Sequence, residues 1–449
     1  MSDQSTPTSA LARLCDKIGI PYPLFWGFVG LLIFMIGDGV ELGYLSPFLS
    51  AGGMSADKIA VVFTLYGVTV GISSWLAGAL SNIWGPKRVM LLGLIIWSVF
   101  EALFLIYGLQ KLSYSMILLT YGLRGFGYPL FAYGFLVWIA AATPPRKMGM
   151  AVGWFWVAYA AGLPTLGSLV ASFSIPLIGA LQTFWLSFAL VVFGGIVGLM
   201  GTRDAAGTRR LAPENEKPMV SMAKNITIMW TRPKVSLAGL VRVINTSSMF
   251  GFLVVMPAFF MDTVGFTLEQ WLRLLTIVFV FNIIGNLSSS VISTKIGYRN
   301  TILWFGAVGS TISTPLFFFM PQAFPHDFLI ASVFGAFYGL TLACFVPLSA
   351  LAPALAPQNK AAALSVLSLG AGASTWVGPA VVAIFHERFG LEGVVWAFSG
   401  LYALSAVLTA FLKDPEPVHE PILIKIKRRI RIKAPRLDYR WAHAEEPNR

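Results

Sequence analysis

Apolar side chains fill this chain in long unbroken blocks rather than as the one-sided stripe of a soluble amphipathic helix. Twelve such blocks cover residues 24–45, 59–84, 89–107, 116–141, 148–171 and 177–201, then 237–261, 272–293, 301–320, 328–351, 362–385 and 394–412. Each is close to the roughly 20 residues that a helix needs to cross about 30 Å of hydrocarbon. The pattern predicts an all-α membrane protein of twelve transmembrane helices in two pseudo-symmetric six-helix bundles. Its expected parts are an N-terminus over 1–23, a first bundle over 24–201, a central loop over 202–234, a second bundle over 235–412 and a basic tail over 413–449.

The two bundles repeat one another. Starts of corresponding blocks are 212–217 residues apart, and Gly85, after the second block, meets Gly297, after the eighth, at an offset of 212, with Lys87 meeting Arg299. Both glycines fall in short turns where a backbone without Cβ can bend sharply. A duplicated six-helix unit is a common plan of transporters, with the solute held near the midplane between the repeats.

Charge adds the orientation. Only 12% of residues are charged, about half the usual share of a soluble domain. With the N-terminus inside, 26 lysines and arginines fall on the inner side, against Lys58, Lys111, Arg273 and Arg388 on the outer one, with Arg124 and Arg242 inside spans. Basic loops stay in the cytoplasm, so a multi-pass protein of the cytoplasmic membrane with both termini cytoplasmic is expected. The net charge of +12 therefore marks topology, and no nucleic-acid partner is expected. The tail segment ILIKIKRRIRIK, 422–433, either anchors that topology or touches anionic membrane lipids. The polar first 22 residues do not read as a removable leader.

Cys15 and Cys344 make no metal cluster or disulfide framework, and His326, His386, His419 and His443 fall in loops or the tail. No cofactor and no metal are expected. An enzyme would need a concentrated nucleophile, base or metal site, and the apolar blocks hold none.

Ionisable groups inside a bilayer are costly and need a partner, water or a function. Asp38 and Glu41, three apart, share a helix face, and Arg124 lies at similar depth on a helix running the other way. A carboxylate whose pairing with Arg124 changes between conformations could take up and release a proton, so these three are the proton-coupling candidates; a permanent Asp38–Arg124 or Glu41–Arg124 pair is the structural alternative. Glu101 and Arg242 lie about seven residues from a membrane edge and are expected to reach the interface, although Asn245 to Ser248 make the stretch after Arg242 polar. Asn282 and Asn286 share one face of the eighth helix, and Tyr128 and Trp376 offer rings. With Arg242 and Asn245 these are the substrate-binding candidates, their alternative being ordinary packing and interhelical hydrogen bonds.

The motif Gly78-x-Leu80-x-Asn82-x-x-Gly85-x-Lys87-Arg88 between helices two and three resembles the loop signature of the major facilitator superfamily. Asn82 stands where relatives carry an acid, and Ile83 where they carry a cation. Gly78, Asn82, Gly85, Lys87 and Arg88 are therefore the expected gating loop. Arg124-Gly125-Phe126-Gly127 looks like the superfamily's proton-coupling signature, and with Tyr128 to Gly134 and Gly37 to Leu42 it resembles the polyol permease branch, the ribitol and arabinitol transporters. The fifth-helix signature of drug antiporters is incomplete, since Pro164 and Gly167 replace its Gly-Pro pair. The resemblance implies a proton-coupled importer of a sugar alcohol, working as a monomer on a small solute and protons. Uptake of a small organic acid such as a dicarboxylate, bound by Arg124 and Arg242, is the second reading, and a non-transporting membrane receptor a third.

Overall fold

The computed structural model describes residues 10–144, 148–211, 228–356 and 360–412; the basic tail and residues 212–227 of the central loop lie outside them. Membrane-length helices follow one another as α1 (Tyr22–Ala51), α2 (Ala56–Trp84), α3 (Pro86–Leu109), α4 (Tyr114–Ala142), α5 (Met150–Ile178) and α6 (Ala180–Gly201). The second half holds α7 (Pro233–Thr263), α8 (Leu268–Ile296), α9 (Tyr298–Ala323) and α10 (Phe328–Leu355). The eleventh apolar run, Ala363–Ala410, is too long for one crossing. It lies in a helix that reverses at Gly390, where φ is +64° and ψ −168°, which separates α11 (360–389) from α12 (391–410). Leu177, Met200, Leu287 and Leu329 are each at least 70% exposed on the flanks, which suits a lipid solvent and no other.

The internal repeat is visible in the backbone. α2 and α8 start 212 residues apart, as do α3 and α9. Gly85 (φ +88°) and Gly297 (φ +93°) both turn the chain at the α2–α3 and α8–α9 junctions, each N–H bonding a serine carbonyl, Ser81 and Ser293, at 3.1 Å. A second pair does the same at the α5–α6 and α11–α12 junctions: Gly179 (φ +89°) and Gly390, 211 residues apart. A side chain at any of these positive φ values would be strained.

Call the end that bears the first described residues and the linker between the halves the terminal face, and its opposite the far face. The halves are joined from the far face to mid-depth. On the far side Ser46 donates to the carbonyl of Val254, Trp271 Nε1 donates to that of Gly43 at 2.8 Å, and Arg273 lies over the Phe173 ring at 5.7 Å. At mid-depth α2 and α11 touch backbone to backbone, with Thr375 Oγ1 donating to the Gly67 carbonyl at 2.8 Å and Gly71 against Gly372. One apolar core runs through both halves here, from Val40, Tyr44 and Leu45 to Val254, Met256 and Trp271. The molecule is therefore closed at the far face.

Candidate functional site

Two spans at the centre of the first half are broken, and the breaks fall on charged residues. α1 is helical over Phe25–Val40 and again over Leu45–Ala51, with Glu41 at the interruption. α4 is helical over Tyr114–Arg124 and over Gly127–Ala142. Breaks free backbone carbonyls, and inside a membrane protein they persist only where other groups satisfy them. The carbonyl of Gly122 accepts from Thr69 Oγ1 at 2.5 Å and that of Phe126 from Ser73 Oγ at 2.7 Å, both on α2. Gly125 is required between them, because a Cβ would lie 2.1 Å from Thr69 Oγ1. Arg124 thereby ends its helical segment, where a cation suits the negative end of the dipole.

The Arg124 guanidinium is 1% exposed and held by two carboxylates. One nitrogen donates to Glu41 Oε1 and the other to Glu101 Oε2 at 2.6 Å. The rings of Tyr121, Trp97 and Tyr66 stand 4.5, 5.2 and 5.3 Å from its central carbon, cation–π contacts of about 0.5–2 kcal/mol each. Of the two pairings left open, the structure has Glu41 with Arg124, whereas Asp38 accepts from Trp97 Nε1 at 2.6 Å. Trp97 thus touches both groups, its N–H on the acid and its face by the cation.

Glu101 is a correction. It is fully buried rather than at the interface, because α3 continues to Leu109 and carries it inward. Its signal was present in the spacing: Trp97 and Glu101 are four apart and share a face. Three carboxyls and one guanidinium are therefore buried together, and Glu41 Oε2, Glu101 Oε1 and Arg124 Nε have no hydrogen-bond partner.

Asp38 and Glu41 lie on the wall of a cavity of about 30 Å³ between the halves, room for about two waters. Tyr66, Tyr121 and Tyr128 line it from the first half, and Phe250, Leu253 and Thr375 from the second.

A family model described as Major Facilitator Superfamily matches residues 27–360 and, in a second placement, 239–440. The chain belongs to the major facilitator superfamily. An alpha-ketoglutarate permease of Bacillus subtilis (strain 168) is 40% identical over 407 residues, 91% of this chain and 93% of the relative. A D-arabinitol transporter of Klebsiella pneumoniae is 37% identical over 401 residues, 89% of this chain and 94% of that one. Among solved structures, the nucleoside transporter NupG shares the fold with a TM-score of 0.70 at 12% identity, over 87% of this chain and all of that one. This superfamily member is a multi-pass secondary transporter and not an enzyme.

The other candidates fall in four settings. Tyr128 joins the cavity wall. Asn245 is occupied by packing bonds, its amide donating to the Leu342 carbonyl at 2.9 Å and accepting from Arg242 at 2.5 Å. Asn282 donates to the Gly339 carbonyl at 3.1 Å and accepts from Asn286 at 3.4 Å, which ties α8 to α10. Trp376 is 38% exposed and is not among the cavity-lining residues. Arg242 is half-buried and within electrostatic range of Tyr133 and Tyr159 of the opposite half, and its guanidinium bonds Asn245 one turn further into the helix rather than reaching the interface expected for it.

At the superfamily loop, Gly78 has open space beside it, Gly85 makes the turn, Arg88 is exposed and the Asn82 carbonyl accepts from Leu211 N at 3.0 Å. Lys87 Nζ stands 5.9 Å from the Trp138 ring, whose N–H donates to Asp204 at 3.1 Å. The segment after α6 thus brings an acid, Asp204, to the edge of the Trp138 ring that Lys87 faces.

Proposed function

We propose that this chain is a proton-coupled importer of a sugar alcohol of the ribitol or D-arabinitol type, lying in the cytoplasmic membrane with the terminal face inward and working by alternating access as a monomer. The observation that carries the reading is the wall of the cavity between the halves. It presents two carboxylates, three tyrosines and a threonine, with Arg124 drawn back between Glu41 and Glu101. Hydroxyls of a neutral polyol can donate to such carboxylates and accept from phenols, whereas an anion would meet like charge. Three acids against one cation also leave groups that can take up a proton at one face and give it back at the other. The 26-to-4 split of basic residues supports the orientation, and the D-arabinitol transporter at 37% identity supports the solute class.

Uptake of labelled ribitol and D-arabinitol into proteoliposomes, with and without an inward proton gradient, tests the reading in wild type and Asp38→Asn. Gradient-driven accumulation in the wild type, lost in the variant while solute exchange persists, is the expected result. If the variant still concentrates solute, the proton does not travel through Asp38.

A second reading is import of a small organic acid. It is favoured by Arg242, which no carboxylate opposes among the described residues, and by the alpha-ketoglutarate permease at 40% identity. Accumulation of a dicarboxylate in the same vesicles, with both polyols left outside, would select it.

A further inference from the structure

Arg242 is not used by the carboxylate cluster, and its setting is a site of its own. It stands nine residues into α7 from the terminal face, Tyr159 nine residues into α5 from that face, and Tyr133 nine residues before the end of α4 at that face. At 1.5 Å per residue all three lie about 14 Å deep, about a third of the way along their spans. They come from both halves, which is where a solute must sit to be passed between faces. Among the described residues the guanidinium has one hydrogen-bond partner, Asn245 Oδ1. A cation in a membrane interior with so little compensation calls for water or an anionic group from elsewhere.

The tyrosines lead from this cation to the acids. The rings of Tyr133 and Tyr159 stack, with centroids 6.3 Å apart and planes at 22°. The Tyr159 hydroxyl meets that of Tyr128 at 3.5 Å, and Tyr128 lines the cavity beside Asp38 and Glu41. Asp38 lies sixteen residues into α1 from the terminal face, about 24 Å deep. The two poles are thus about 10 Å apart along the membrane normal, a span that a linear five- or six-carbon solute can bridge.

One pole is cationic, the other acidic, and phenol hydroxyls lie between. A dicarboxylate would place its second charge against Asp38 and Glu41, and a polyol would leave Arg242 without an anion. We propose that the chain also carries linear polyhydroxy monocarboxylates, the aldonates, with the carboxylate on Arg242 and the hydroxyl chain along Tyr133, Tyr159 and Tyr128 toward Asp38. The proposal rests on the reading that the solute occupies the space between the halves.

Exchange of labelled ribonate and of labelled ribitol, measured in separate arms on proteoliposomes of wild type, Arg242→Lys and Arg242→Gln, tests it, with only monodisperse variants reconstituted. The expected result is ribonate exchange by the wild type and an apparent KM for ribonate that rises about tenfold to a hundredfold more than that for ribitol in Arg242→Gln, the range for losing a charged hydrogen bond. Arg242→Lys should fall between. Ribitol exchange without ribonate exchange overturns the proposal and leaves the polyol reading standing. Ribonate exchange without ribitol exchange does the reverse. An equal effect of both substitutions on the two solutes also overturns the proposal, since Arg242 would then act only on the packing of α7.

Discussion

The two halves share a backbone and differ in what they bury. In the first half the centre holds Asp38, Glu41, Glu101 and Arg124. An offset of 212 carries Glu101 onto Ser313 and Arg124 onto Ala336, and leaves neutral residues opposite Asp38 and Glu41 as well. The centre of the second half is instead a hydroxyl knot: Ser248 Oγ lies 2.6 Å from both the Tyr338 and Tyr402 hydroxyls, and Tyr402 donates to the Asn245 carbonyl at 2.8 Å. Neutral hydroxyls can donate and accept at once and satisfy one another. A carboxylate only accepts and a guanidinium only donates, and three of their atoms in the first half have no partner. Duplication thus supplied one scaffold twice, and among the described residues the buried carboxyls all fall in the first copy.

The comparison breaks most visibly at Arg124. In Arg124→Leu, Glu41 and Glu101 lose their cation while remaining buried, and removal of one partner from a buried ion pair costs about 3–5 kcal/mol. Thermal unfolding in detergent should show that loss, and a triple variant with Glu41→Gln and Glu101→Gln added should recover most of it, because the uncompensated charge is then gone. A loss in Arg124→Leu below about 1 kcal/mol would mean that the cluster does not hold the half together.

Ser248→Ala is the matching test in the second half. It deprives two buried phenols of a shared partner, at a cost of about 1–3 kcal/mol. Stability should fall while the number of protons moved per solute, read from the gradient dependence of uptake, stays as in the wild type. A change in that number would place proton handling in both halves and undo the contrast.

What the chain reveals before folding follows the same division. Span positions, the repeat and the solitary charges Asp38, Glu41 and Arg124 are legible because hydrocarbon thickness and the cost of charge act on local sequence. Glu101 and Arg242 were misplaced because distance from a membrane edge was counted on blocks shorter than the helices. α3 runs to Leu109 rather than 107, and α7 starts at Pro233 rather than 237. The break in α1 at Glu41 had no local signal, since Gly39 and Gly43 also serve close packing: a Cβ on Gly39 would lie 1.7 Å from the Leu163 carbonyl oxygen. The pairing of Gly179 with Gly390 was readable within one residue of the offset found for Gly85 and Gly297. Which acid meets Arg124 was not, because three helices settle it together.

The smallest expected effect lies at the far face, where the halves meet in water. His386 Nδ1 stands 3.6 Å from Asp57 Oδ1, joining the end of α11 to the start of α2. The sequence placed His386 in a loop; it is the last turn of α11 that brings it to Asp57. Asp57 is 42% exposed and His386 29%, so solvent screens the pair and its contribution is about 0.2–1 kcal/mol at most. Asp57→Asn should therefore leave thermal unfolding within about 1 kcal/mol of the wild type. In the proposed alternating access, opening the far face would part this contact, so its loss would act on the balance between conformations, and a change of about 0.5 kcal/mol shifts a two-state balance about twofold. A cysteine placed at Ser50, near that face, should then react with a membrane-impermeant maleimide up to about twofold faster in the Asp57→Asn background. Unchanged labelling would show that Trp271 on Gly43 and Ser46 on Val254, both buried, close the far face without help from its rim.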